Sequence, residues 1–343
     1  MKTTTLTLRF ILLALFFAVN IYSWGANPES ENKKEIKKSF PVALSDKVQI
    51  DNSYGSITIT HWEKNEVFVH VVVEAKAKKI SRVQELLACT DIDIRKSDST
   101  VSGTTSMKQF STKNNERLEI HYYISMPSRL PANLSQKYGS INLPETSNGD
   151  RFLEVKYGGI TAGSFTANLS IDAGYSNITV KDVEKASLNL AYCGKATVGK
   201  AGSLTIDSRY SHATVEQAGN LTLKSSYASL KIARLTGKLF AKTLDYGNLT
   251  VKEVSSTVTR IEAKARYATL TLSLPRNLPF NVEADKMKYG SYNINGFNEQ
   301  QTQKDKSGSV FYRSYRSSVN SGNPHCIIRF NGSSYSNLRI KGL

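Results

Sequence analysis

The chain has 343 residues, a formal net charge of +16, 40% hydrophobic and 22% charged residues. Its three cysteines and five histidines are scattered without metal-ligand spacing, and no nucleic-acid-binding module is recognisable behind the basic balance. The length admits two or three ordinary domains or one continuous repeat array.

In chain order, Lys2 and Arg9 precede the apolar run FILLALFFAV, and small residues follow at Ser23, Gly25 and Ala26. That pattern predicts a cleaved export signal over residues 1–26, with no membrane-spanning segment beyond it. No cysteine lies near the cut to carry a lipid. Residues 27–45 are polar and charged and read as a flexible lead-in. Residues 46–133 read as a β-rich region and cap. Glu63 to Glu66 marks a turn, Val67 to Val73 a strand, and Ile80, Val83 and Leu87 recur at helical spacing over Ile80–Ala88. DIDIRKS, STVSGTTS and RLEIHYYISMP read as three further strands.

From residue 134 to 295 one short phrase recurs around a tyrosine: Tyr138, Tyr157, Tyr175, Tyr192, Tyr210, Tyr227, Tyr246 and Tyr267, at spacings of 19, 18, 17, 18, 17, 19 and 21 residues. An outlying copy surrounds Tyr54, and looser ones Tyr289 and Tyr335. Repetition at this period signals stacked coils. Four residues before the tyrosine stand Ile50, Leu134, Leu153, Ile171, Leu188, Ile206 and Leu223; the positions between are polar. Counting in twos along a strand carries the aliphatic face onto the tyrosine, so the ring is expected in core or corner packing. A small residue follows each ring, as a close corner requires, and then a second strand with Thr58, Thr161, Thr179, Thr214, Thr250 and Thr271 between its inward aliphatics. Stacked threonines are expected to form a hydroxyl ladder. Residues 296–343 hold a hydrophilic loop or hairpin, Asn298 to Asn323, and a final coil.

The fold expected is all-β: a single-chain β-helix or β-solenoid with coils of roughly 17–22 residues and an N-terminal β-rich capping region with one short helix. At about 4.8 Å per rung, ten or so coils make a rod on the order of 50 Å long.

The motif IDNSYGSITITHWEKNEVFV, a helix, strands ending in MP and then serial KYG repeats together resemble the putative-adhesin β-strand-repeat family of exported bacterial envelope proteins. The resemblance runs from about Val48 to Leu343. It implies a β-helix-like fold, a location outside the cytoplasm (periplasmic, outer-membrane-associated or at the cell surface) and a binding or structural role. It brings no catalytic residues and no cofactor.

Charge is the global functional hint. Without Lys2 and Arg9 the balance is +14, suited to an anionic glycan, lipopolysaccharide or another envelope protein rather than nucleic acid. Lys137, Lys156, Arg209, Arg266 and Lys288 share one column and form the candidate ligand-binding surface; Tyr312, Arg313, Tyr315 and Arg316 form a secondary one. An exposed aromatic column is an alternative, because rings can stack on sugars. The rival class is a β-helix glycan-active enzyme, a polysaccharide lyase or hydrolase, for which Asp51, Glu154, Asp172 and Asp207 are the nearest carboxylate column. His61 beside Trp62 reads as a packed strand end, and Asp91 with Asp93 as a solvated strand face. Cys193 fills the small-residue column, while Cys89 and Cys326 are candidates for a disulfide between capping regions.

Overall fold

The structure is a computed structural model describing residues 30–108, 111, 113, 115–306 and 312–343. The expected export signal lies outside those residues. Among the described residues the chain is all-β, with one helix at Ile80–Ala88.

Each repeat contributes a strand before its tyrosine and a strand after it, and both pair in parallel with the same strand of the next repeat. The first wall keeps its inward positions in file: Ile50, Leu134, Leu153, Ile171, Leu188, Ile206, Leu223, Ala241 and Ala263 are successive partners, with register shifts just after Leu223 and Ala241. The second wall does the same through Ile57, Ile141, Ile160, Ile178, Ala196, Ala213, Leu230, Leu249 and Leu270. A shorter third wall aligns Ser147, Phe165, Val183, Ala201, Ala218, Leu235 and Val254. All these residues are buried, and all but the polar Ser147 belong to one continuous hydrophobic core. A one-residue slip would turn a whole wall's aliphatics to water, so the register is strongly specified.

The N-terminal end is closed by antiparallel hairpins. Thr100–Met107 and Arg117–Met126 extend the two walls, and Thr90–Ser97 and Glu66–Ala77 pair onto them. The lead-in expected to be flexible is instead, from Ser30 to Pro41, a strand paired along all of Glu66–Ala77. Ile36 and Phe40 pack on the core, and the free edge left by Glu66–Ala77 supplies backbone partners that composition does not reveal. Lys33, Lys34, Lys37 and Lys38 on this outermost strand discourage further edge pairing.

The C-terminal end departs from chain order. The final coil is not terminal: Cys326–Gly332 lies between Arg260–Arg266 and Phe280–Lys288, and Asn337–Gly342 between Thr269–Leu274 and Tyr292–Asn295. The hydrophilic insertion supplies Gln300–Lys306 and Tyr312–Val319, which pair antiparallel and close the first wall.

The tyrosine ladder and its flanking columns

The residue at each corner is the tyrosine itself, and it breaks the strand parity. All eleven repeat tyrosines, Tyr54 through Tyr335, have φ between 50° and 60°, the left-handed region. That turn throws the ring outward, contrary to the packing expected from alternation, and leaves it 38% to 54% exposed. The next residue turns inward instead. Ser176, Cys193, Ser211 and Ser336 there are buried, and a Cβ on Gly158 would stand 1.7 Å from the Gly139 carbonyl oxygen. Where the column is polar it serves the corner: Ser176 Oγ donates to Gly174 O at 2.7 Å and accepts from the Gly158 amide at 3.2 Å.

The rings form one continuous stack. Neighbouring centroids lie 4.7–5.2 Å apart from Tyr54 through Tyr138, Tyr157, Tyr175, Tyr192, Tyr210, Tyr227 and Tyr246 to Tyr267. Tyr335 follows at 5.5 Å and Tyr289 at 5.3 Å from Tyr335. A non-glycine residue in the left-handed region costs about 1–3 kcal/mol, and an aromatic pair returns about 0.5–1.5 kcal/mol beyond burial. The eleven rings share ten such pairs, about one per corner, so stacking offsets part of the corner strain. The geometry also decides what the ladder offers: ring faces are covered by neighbouring rings, while edges and hydroxyls face solvent. Sugar stacking on interior faces is therefore blocked.

The predicted basic residues fall one position before the rings. In register the column reads Lys137, Lys156, Gly174, Ala191, Arg209, Ser226, Asp245 and Arg266. Lys288 stands at the end of the ladder, bridged to Ser334. The structure aligns them in one file, with Lys137 and Lys156 on adjacent rungs, neutral Gly174, Ala191 and Ser226 further along and the acidic Asp245 next to Arg266. Lys156 bonds Glu154 at 2.8 Å and Arg266 bonds Asp245 at 2.8 Å, which raises the pKa of both cations. The Arg266 guanidinium lies 5.7 Å from the Tyr246 ring centre, and Lys288 Nζ lies 5.4 Å from Tyr289 and 5.8 Å from Tyr312.

The secondary cluster is divided. Tyr315 is half-buried and stacks on Tyr292 at 4.5 Å, Arg316 is exposed and pairs with Asp305 at 3.2 Å, and Tyr312 and Arg313 are exposed, with Tyr312 in register with Lys288. The carboxylate column Asp51, Glu154, Asp172 and Asp207 lies on an open wall: Lys156 holds Glu154, and Asn189 donates to Asp172 at 3.3 Å. The threonines align, but among the described residues no hydrogen bond joins two of their hydroxyls.

Two features escaped the sequence reading. Glu74, Glu119 and His121 bring their ligand atoms within 4.8 Å of one another, though Glu119 is already held by Arg117 at 2.6 Å. Arg151 occupies the inward column otherwise held by residues such as Leu169 and Leu204, and is only 2% exposed. Its guanidinium donates to the carbonyls of Leu130, Asp150 and Ser128, and Nη2 meets His61 Nε2 at 3.3 Å. His61 is thus a structural partner, held down at about pKa 4 by burial and by the Arg151 charge. All three cysteines are free. Cys89 follows the helix of the N-terminal cap and Cys326 begins the C-terminal coil, so the two belong to opposite ends of the array and the candidate bridge is not formed.

The arrangement defines an all-β repeat protein carrying a surface aromatic ladder. No protein-family model matches the chain, and no curated protein matches it. Among solved structures it is similar to a "putative adhesin" of Bacteroides fragilis, at 12% identity over 90% of this chain and 97% of the other, with a TM-score of 0.34. A "putative adhesin" of Parabacteroides distasonis gives 12% identity, 89% and 97% coverage and a TM-score of 0.36. A "putative lipid binding protein" of the same species gives 10%, 89%, 96% and 0.32. At these scores the likenesses carry no argument about function. Among the described residues no helix is long and apolar enough to cross a membrane.

Proposed function

We propose that the chain is a non-enzymatic, exported β-solenoid of the cell envelope, adhesin-like or structural, which presents the tyrosine ladder and its basic column to an anionic glycan partner. The parallel walls with repeat-by-repeat register support the solenoid reading. The observation that carries the function is the ladder itself: eleven exposed tyrosines in the left-handed region, with Lys137, Lys156, Arg209, Arg266 and Lys288 beside it. Aromatic edges carry partial positive charge. Edges, hydroxyls and adjacent cations together suit an extended anionic surface, and the open wall around Asp172 and Asp207 gives hydrolysis no enclosed pair of carboxylates.

The test is binding of residues 27–343 to immobilised acidic and neutral glycans at two salt concentrations. Salt-sensitive retention of acidic glycans, lost when Lys137, Lys156, Arg209 and Arg266 are changed to Gln, is the expected result. Equal binding of neutral glycans, or no loss in the quadruple variant, would overturn it.

A further inference from the structure

The outer face of the N-terminal cap carries a mixed cluster that neither the ladder nor the core uses. Glu74 on Glu66–Ala77 is the direct antiparallel partner of Glu119 on Arg117–Met126, and His121 stands two residues further along the second strand. Residues two apart on a strand share a face with the partner across the ladder, and the opposite pair has Cβ atoms about 4.5–5.5 Å apart. Alternation thus sets two carboxylates and an imidazole side by side, all three half-buried. Like charges placed directly opposite each other are destabilising on their own. Arg117 compensates Glu119; its pKa is raised first by its hydrogen bond to Glu119 and further by the charges of Glu74 and Glu31. Lys33, the register partner of Glu74 on the outermost strand, bonds Glu35 at 2.7 Å.

Two of the three donors are held from behind by residues outside the cluster, as metal ligands commonly are. Ser56, the register partner of His121, meets its Nδ1 at 2.8 Å, which leaves Nε2 to face the carboxylates. Arg117 takes Glu119 Oε1 at 2.6 Å, which leaves Oε2. His121 Nε2 and Glu119 Oε2 then stand 3.3 Å apart. That is long for a charge-assisted hydrogen bond, which runs about 2.7–2.9 Å. It is close to the edge of a tetrahedron whose corners lie about 2.0–2.2 Å from zinc, roughly 3.4 Å. A Glu74 oxygen lies within 4.8 Å of both. Beside the group is a cavity of about 80 Å³ lined by Glu31, Glu74, Arg117 and Glu119, which has room for a ligated water.

We infer that Glu74, Glu119 and His121 form a binding site for a divalent transition metal ion of the zinc class, with water completing its coordination. An imidazole among carboxylates suits zinc, copper or nickel, whereas calcium and magnesium take oxygen ligands alone. The ion replaces like-charge repulsion with a shared counter-charge. It also ties Glu66–Ala77, the strand that carries Ser30–Pro41, to Arg117–Met126, which extends the second wall. The cap is thereby fastened over an end of the array whose strand edges would otherwise be open. The inference is independent of what the ladder binds.

The experiment titrates Zn²⁺ into the full mature chain, stripped beforehand with a chelator, and follows binding by calorimetry. One ion per chain is expected, with a higher thermal midpoint. Amide exchange should slow in Glu66–Ala77 and Arg117–Met126 and stay unchanged in Cys326–Gly332 at the other end. Binding should weaken as the pH falls, because an imidazole ligates only in its neutral form. His121→Gln and Glu74→Gln should each weaken binding by more than about tenfold and abolish the zinc-dependent gain in midpoint. His212→Gln, exposed and remote on the array, should bind as wild type. Glu74→Gln also removes the opposed charge, so its metal-free midpoint should be no lower than that of wild type. No binding by wild type, wild-type affinity in either ligand variant, or an equal loss in His212→Gln would each overturn the inference, the last by marking an adventitious ion only. If one ligand variant fails to fold, the other decides.

Discussion

Arg151 Nη2 and His61 Nε2 face each other at 3.3 Å inside the junction between the N-terminal cap and the array. Burial lowers the Arg151 pKa to about 10, yet three carbonyls still hold a cation there, and the histidine beside it must stay neutral. The pair explains how a charge can occupy a column of aliphatics. Its cost is pH sensitivity.

Because the His61 pKa falls from 6.5 to about 4 on folding, the unfolded chain binds a proton that the folded chain refuses between those values. Stability is full above pH 6.5 and falls as the pH drops toward 4, by at most about 3 kcal/mol from this residue. Urea unfolding of wild type and His61→Gln across pH 4–7 checks it: the difference between the two must narrow as the pH falls. In Arg151→Met the His61 titration, followed by NMR, moves upward, and loss of the carbonyls' donor costs about 2 kcal/mol or more at pH 7.

The ladder separates two effects at one position. Tyr192→Phe keeps the ring and should change stability by less than about 0.5 kcal/mol. Tyr192→Ala loses both stacks and keeps the left-handed backbone, at about 2–3 kcal/mol. Tyr192→Gly loses the stacks but adopts positive φ freely, so it should be about 1 kcal/mol less damaging than Ala. Equal losses for Ala and Gly in urea unfolding would show that the corner stores no strain.

Ser208 and Ser225 are register partners in the interior, and neither hydroxyl has a hydrogen-bond partner. Their neighbours along the column are Leu190 and Leu244. Ser→Ala at either site removes a buried unsatisfied group and should stabilise by about 1 kcal/mol. A loss in thermal unfolding at either site would show that the hydroxyl is satisfied.

Thiol chemistry reports the two ends separately. Burial pushes the Cys326 thiol up to about pKa 12 and raises Cys193 as well, while Cys89 is partly exposed. A maleimide should label Cys89 alone in the native chain at pH 7.5, with the other two reacting only on unfolding. Peptide mapping identifies the modified residue. Early labelling of Cys326 would mean that the final coil leaves its slot in the native state.

Much of the architecture was legible because period and register are local signals. The helix Ile80–Ala88, the inward aliphatics and the small-residue column all follow from spacing along one strand. Parity failed at the tyrosines because a single left-handed residue reverses it, although a ring followed always by a small residue was a readable mark of the corner. Arg151 was readable too, as a cation in a column of Val48, Leu169, Leu204 and Leu221. The position of Tyr335 between Tyr267 and Tyr289 was not, since it depends on pairing between segments far apart in the chain. The strand Ser30–Pro41 was hidden for the same reason: only the edge it meets makes it ordered.

That interpolated coil also sets a clock. A chain that grows from its N-terminus lays down the rungs of Tyr267 and Tyr289 before the segment that separates them exists. The array cannot be completed rung by rung as it emerges; a gap one rung wide waits for Cys326–Gly332 and Asn337–Gly342. The core is finished only when that segment arrives, and a chain lacking it is left with an unfilled seam.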